Sequence, residues 1–133
     1  GATVTGELTG ESGIPEESLL LDCDRGVVVV TGCAHPGIVE IVGRARAITG
    51  KQVAIVLGGF HLLRESEDSI KDVISNLRDL GVRLAVPCHC SGDLAVELFR
   101  QADGMDFVPC SVGSVIEVGD LIGNARTDQQ AHE

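Results

Sequence analysis

The sequence predicts one α/β domain built on a layered, mostly parallel sheet. Three observations carry this reading. Short β-branched runs alternate with stretches of helical period, the helical stretches close on glycines (Gly50, Gly81, Gly104), and no linker or internal repeat divides the 133 residues. Alternation of strand and helix implies right-handed crossovers, which stack helices on a sheet. A chain of this length buries a real core as a single domain.

The elements follow in order. Residues 19–23 and 27–31 are apolar runs around Asp24-Arg25-Gly26, and Asp with Gly in so short a gap reads as a hairpin turn. Val27 to Val30 are β-branched on both faces, as in a strand covered on both sides. Pro36 suits the first turn of a helix that carries Ile38, Val39, Ile41, Val42, Ala45 and Ile48 and stops at Gly50. Residues 53–57 are a second strand, followed by a Gly58-Gly59 loop with His61. Ile70, Val73, Ile74, Leu77 and Leu80 then place a helix over 68–80. Residues 83–87 form a third strand and run into Pro87-Cys88-His89-Cys90-Ser91-Gly92. Ser91 is read as the N-cap of a helix carrying Leu94, Ala95, Leu98 and Phe99. Residues 107–110 and 114–118 read as two last strands. The domain thus occupies 1–118, and 119–133 are a polar, flexible tail.

Composition removes several function classes. The net charge of −10 would repel phosphate backbones and anionic membranes, so no nucleic-acid or membrane partner is expected. With no Trp, no Tyr and three Phe, stacking platforms for bases are absent. No apolar run approaches the ~18 residues a membrane span needs. The first residues have neither the basic nor the apolar region of a signal peptide, and Gly1 reads as a cloning remnant or the start of a fragment. Five cysteines, an odd number without a leader, suit reduced thiols and a cytoplasmic location. No GxGxxG, GxxxxGK[ST] or GxSxG pattern occurs, which weakens nucleotide-binding and serine-hydrolase readings.

The histidines carry the chemistry. His35, His61 and His89 each follow a strand and precede a helix, about one strand–helix unit apart. Carboxyl ends of parallel strands are where α/β sheets bind ligands. Three imidazoles delivered there are candidate metal ligands, and three protein ligands with an open position describe a catalytic zinc site. Ordinary hydrogen bonding or solvent exposure is the better explanation of any one loop histidine; the shared position of all three is what argues for a site. His132, in the tail, is expected to be inert. Gly59, Ser91 and Gly92 are candidates for backbone approach to an anion at a helix N-terminus, although glycine pairs also mark plain turns. Cys33 lies two residues before His35, and Cys88 and Cys90 flank His89. Strand alternation allows Cys88 and Cys90 both to point away from His89, so packing is the leading role of the thiols, with direct thiolate ligation of zinc as the alternative. A CxC pair is not the CxxC of a redox motif, and a thiol-redox function lacks a visible charge partner.

The runs from Thr31 to Ile38 (TGCAHPGI), Leu57 to Leu62 (LGGFHL) and Pro87 to Gly92 (PCHCSG) resemble the C-terminal half of a metallo-β-lactamase-fold protein. The branch in question holds superfamily-II metal-dependent hydrolases and a dihydropterin ribofuranosyl-aminobenzene phosphate synthase. The resemblance covers roughly residues 4–118. It implies a layered αβ half of an αβ/βα sandwich, completed by the missing N-terminal half or by a second copy of the chain. It also implies that His35 and His89 match two metal motifs, while His61 falls near a motif that usually supplies a bridging Asp. A neutral imidazole has one lone pair to offer and cannot bridge as a carboxylate does. The HxHxDH motif of that fold does not occur in these 133 residues.

Two functions of different class follow. One is the metal-binding half of a metal-dependent hydrolase or related synthase, using zinc (or manganese or iron) and acting on an ester or phosphate-bearing anionic small molecule through metal-activated water. The other is a non-catalytic, self-associating module derived from that fold.

Overall fold

A computed structural model describes residues 1–118. The apolar runs named above as far as Phe107 become strands or buried helix faces, and they do so around one sheet. Six strands form it: β1 (Ala2–Val4), β4 (Leu19–Cys23), β5 (Gly26–Val30), β6 (Val53–Gly59), β7 (Leu84–Cys88) and β8 (Asp106–Phe107), adjacent in that order. A separate two-stranded ribbon pairs β2 (Leu8–Thr9) with β3 (Pro15–Glu16).

The β4–β5 hairpin turns at Asp24 and Arg25, with Leu19 opposite Val30 and Asp22 opposite Val27. From β5 onward every pairing is parallel, with Ile55 of β6 opposite both Val28 and Leu84. Helices α1 (Ile38–Thr49), α2 (Glu67–Asp79) and α3 (Asp93–Gln101) are the crossovers. Strands added in sequence order by right-handed crossovers always step the same way, so all three helices fall on one face.

The core records this asymmetry. Ile38, Ile41, Val42 and Ala45 of α1, Ile70, Ile74 and Leu77 of α2, and Ala95 and Phe99 of α3 pack with Val27, Val29, Val53, Val56 and Ala85 of the sheet. The helix ends are conventional. Gly50 closes α1 in the left-handed conformation with its N–H on the Arg46 carbonyl. The Ser66 side chain accepts from the Ser69 N–H at the start of α2. Phe60 and Phe99 meet edge to face at 5.4 Å beneath this layer.

The opposite face holds Val28, Ala54, Ile55, Leu84 and Val86, all buried. Its cover comes from the chain itself: Val108, Cys110, Ile116 and Val118 pack against it. Residues 107–110 and 114–118 were expected as strands, but pairing ends at Phe107. Pro109 has no N–H to continue the ladder, and a Ser111–Ser114 turn redirects the chain across the sheet. An open apolar face, implied by the half-sandwich resemblance, is therefore partly closed by 108–118. Val112 and Val115 on that segment point outward, fully and largely exposed. The tail 119–133 and His132 lie outside the described residues.

Candidate metal centre

Parallel neighbours β5, β6 and β7 bring their following loops to one edge of the sheet, and backbone bonds stitch the loops together. Thr31 N–H donates to the Leu57 carbonyl (2.9 Å), and Gly59 N–H to that of Gly32 (3.0 Å). The Thr31 hydroxyl donates to the Gly59 carbonyl at 2.8 Å. Ser91, fully buried, donates to the Cys88 carbonyl (2.7 Å) and accepts the Phe60 N–H (3.1 Å). The loops approach so closely that β6 must end in glycine. A Cβ on Gly58 would sit 2.3 Å from the Thr31 carbonyl oxygen, and one on Gly59 would sit 2.4 Å from that of Gly32 and 2.8 Å from Cys90 Sγ.

Glu16, at the end of the β2–β3 ribbon, organises the first loop. Its carboxylate accepts backbone N–H bonds from Cys33 (2.8 Å), Ala34 (2.9 Å) and His35 (2.7 Å). It also lies 3.2 Å from His35 Nδ1. Burial works against its charged form, but the three amides of Ala34, His35 and Cys33 outweigh this, with His35 adding to them, and hold the carboxyl below its ordinary value. With Nδ1–H directed at the carboxylate, Nε2 of His35 keeps its lone pair for a ligand. This is the arrangement by which carboxylates orient metal-binding histidines. Nothing in the sequence marked Glu16, which lies well upstream of the loop it holds.

The histidines arrive at this edge in two groups. His35 and His61 are in contact, ring centroids 4.7 Å apart. His89 instead gathers with Cys33 and Cys90: among the described residues, these three present donor atoms that all lie within 4.8 Å of one another. His61 and His89 hold left-handed backbone, with φ of 52° and 54°. Such conformations are uncommon outside glycine and cluster at functional sites.

Two expectations change. β7 ends at Cys88 and residues 89–91 form a 3₁₀ turn, so strand alternation does not reach Cys90 and its thiol faces Cys33 rather than the core. Burial first, and then the Cys90 thiol, push the Cys33 thiol up. Cys88 does pack away, against Cys110, its thiol raised by burial and by that neighbour. Ser91 is not the N-cap of α3; Gly92 occupies that position without a side-chain bond. The Gly59 N–H and the Ser91 hydroxyl are both engaged in fastening the loops together. Gly92 sits against Leu63, where a Cβ would meet Leu63 Cα at 2.9 Å.

The donors fit a divalent transition metal. Imidazoles and thiolates suit zinc and its neighbours, and the carboxylate behind His35 supplies the supporting bond. Beside the pair, His35 and His61 line an open cleft of about 530 Å³ that also carries Glu11, Glu40 and Glu65. Among the described residues no helix is long and apolar enough to cross a membrane.

Comparisons with known proteins bear on the fold that carries this edge. No protein-family model matches the chain. The 7,8-dihydropterin-6-methyl-4-(β-D-ribofuranosyl)-aminobenzene-5′-phosphate synthase of Methanocaldococcus jannaschii is 35% identical over 103 residues, which cover 77% of this chain and 35% of that protein. The crystal structure of a metal-dependent hydrolase of the β-lactamase superfamily superposes with a TM-score of 0.74 at 36% identity, covering 78% of this chain and 41% of that one. A probable glycine dehydrogenase (decarboxylating) subunit 1 of Beijerinckia indica is 31% identical over 119 residues, 26% of its length. That name implies another chemistry, and the backbone match favours the first two. The chain spans about two-fifths or less of each of these relatives. Over the residues matched, the chain is similar in sequence to the synthase, and in sequence and backbone to the metal-dependent hydrolase of the β-lactamase superfamily.

Proposed function

We propose that the chain supplies metal ligands to a metal-dependent hydrolase or a related synthase acting on an ester or phosphate-bearing anionic small molecule. The observation that carries the reading is the His35–His61 contact at the carboxyl edge of the sheet, with Glu16 fixed behind His35. His35, His61 and His89 hold the ion, zinc by preference, with manganese or iron as alternatives. A bound divalent ion lowers the pKa of its water and polarises an ester or phosphoryl oxygen. The chain's own residues orient and anchor. Glu16 fixes the His35 ring, and the Thr31–Gly59 bond and the Ser91 hydroxyl hold the three loops in register. Among the described residues the cleft is lined by three glutamates and no lysine or arginine, so the positive charge that attracts an anionic substrate comes from the ion. Five free thiols suit the reducing cytoplasm.

The test is metal analysis of protein purified without chelator, with about one ion per chain expected and a clear reduction in His35→Asn. Protein without metal that also takes up none from excess zinc would overturn the reading.

A second reading, a self-associating module without chemistry, is favoured by the outward-facing Val112 and Val115. It predicts a stable dimer by light scattering and no turnover of phosphodiester, lactone or thioester probes. Turnover by the isolated chain excludes it.

A further inference from the structure

We propose that Cys33 and Cys90 are themselves metal ligands, forming with His89 a thiolate–imidazole site for a soft divalent ion. This rests on the reading that the chain binds metal, and it names donors beyond the three histidines.

Geometry comes first. Cys33 Sγ, Cys90 Sγ and a ring nitrogen of His89 lie within 4.8 Å of one another. Tetrahedral zinc, with Zn–S of about 2.3 Å and Zn–N of about 2.0 Å, holds such donors about 3.5–3.8 Å apart. Side-chain adjustments of about an ångström therefore close the set around an ion.

The loops are shaped for this convergence. Cys33 follows β5 and Cys90 follows β7, and the strand between them ends in Gly59. A Cβ there would lie 2.8 Å from Cys90 Sγ and 3.1 Å from Cys33 Cα, so any other residue would fill the space that the thiols share. The left-handed turn at His89 breaks the strand alternation that would have separated its ring from the Cys90 thiol.

Packing does not account for these thiols. Both are only half-buried, and neither is in the hydrophobic clusters that take up Cys23 and Cys110. His89 is exposed, which leaves a fourth coordination position open to solvent or substrate. Two thiolates and one imidazole around a divalent ion also make a neutral set. Such a set prefers zinc over manganese or magnesium, since thiolate is a soft ligand.

The experiment is titration of the metal-free chain with Co²⁺ alone, read by absorption. Thiolate ligation gives intense near-ultraviolet charge-transfer bands, and a chain without Trp or Tyr offers a clean background for them. The bands are expected in the wild type and in Cys88→Ser, weakened in Cys33→Ser and Cys90→Ser, and absent from the double variant. Zinc affinity of that double variant should fall at least about tenfold, since even outer-shell changes cost 10–100-fold. Serine keeps the size of the side chain and the bond from position 90 to the Cys33 carbonyl, and circular dichroism confirms folding. Persistence of the bands in His35→Asn/His61→Asn would support a site that stands without that pair. Co²⁺ bound with no charge-transfer band, and lost in His35→Asn but not in the cysteine variants, overturns this proposal and leaves the hydrolase reading intact. No binding of Co²⁺ or Zn²⁺ at all overturns both.

Discussion

Glu16 is the residue on which the first loop depends, and its removal is the most informative perturbation of the fold around the site. Three backbone N–H groups at 2.7–2.9 Å end on one carboxylate. Hydrogen bonds to a charged acceptor contribute about 1.5–3 kcal/mol each, but they do not add when one group serves all three. The side chain keeps 13% exposure and that of His35 22%, so water recovers part of the loss. Glu16→Ala is expected to cost about 2–4 kcal/mol, and Glu16→Gln, which retains one acceptor oxygen, about 1–2 kcal/mol. Urea unfolding followed by far-ultraviolet circular dichroism measures this; a chain without Trp or Tyr gives little fluorescence signal. Metal affinity should fall about 10–100-fold in both variants, because the His35 ring loses its orienting partner. A loss below about 0.5 kcal/mol in Glu16→Ala, the range of an ordinary surface change, would refute the argument that this carboxylate organises the loop.

The remaining predictions concern acid, close packing and the core. The folded-state pKa of Glu16 lies below its ordinary 4.5, so its contribution is full above that pH and is lost as pH falls through the lower folded value. Thermal melts across this range should show an acid-side decline that Glu16→Gln reduces; identical profiles for the two proteins would contradict it. Gly59→Ala should push the β5 and β7 loops apart, costing about 1–3 kcal/mol and weakening metal binding, as calorimetry and zinc titration would show. Phe99→Ala removes a ring that is 1% exposed and contacts Phe60, with an expected loss of about 3–5 kcal/mol in urea unfolding.

The frame of the molecule was legible because its periods are strong. Ile38 to Ala45 and Ile70 to Leu77 repeat at helical spacing and bury those residues, while Val27–Val30 announce a strand covered on both faces. Where local rules were extended past the end of an element they failed. Strand alternation was carried to Cys90, but the strand stops one residue before His89 turns left-handed. Residues 114–118 have strand composition, yet Pro109 had already ended the ladder. The positions of His35, His61 and His89 at strand ends were readable from order alone, whereas their division into a histidine pair and a histidine–thiol group depends on loop conformation. Glu16 was invisible for a different reason. It binds backbone amides, which every residue type presents, so no partner motif in the sequence announces it.

The left-handed backbone at His61 and His89 has a consequence for how this edge of the sheet came to be occupied. An L-residue with a side chain sits there at a cost of about 1–2 kcal/mol relative to glycine. Folding alone would favour glycine at both positions, the residue that stands at the left-handed C-cap of α1, Gly50. His61→Gly and His89→Gly should therefore raise stability while diminishing ion retention. The two properties pull against each other at the same two residues, and alanine, which keeps the strained backbone, cannot expose that opposition.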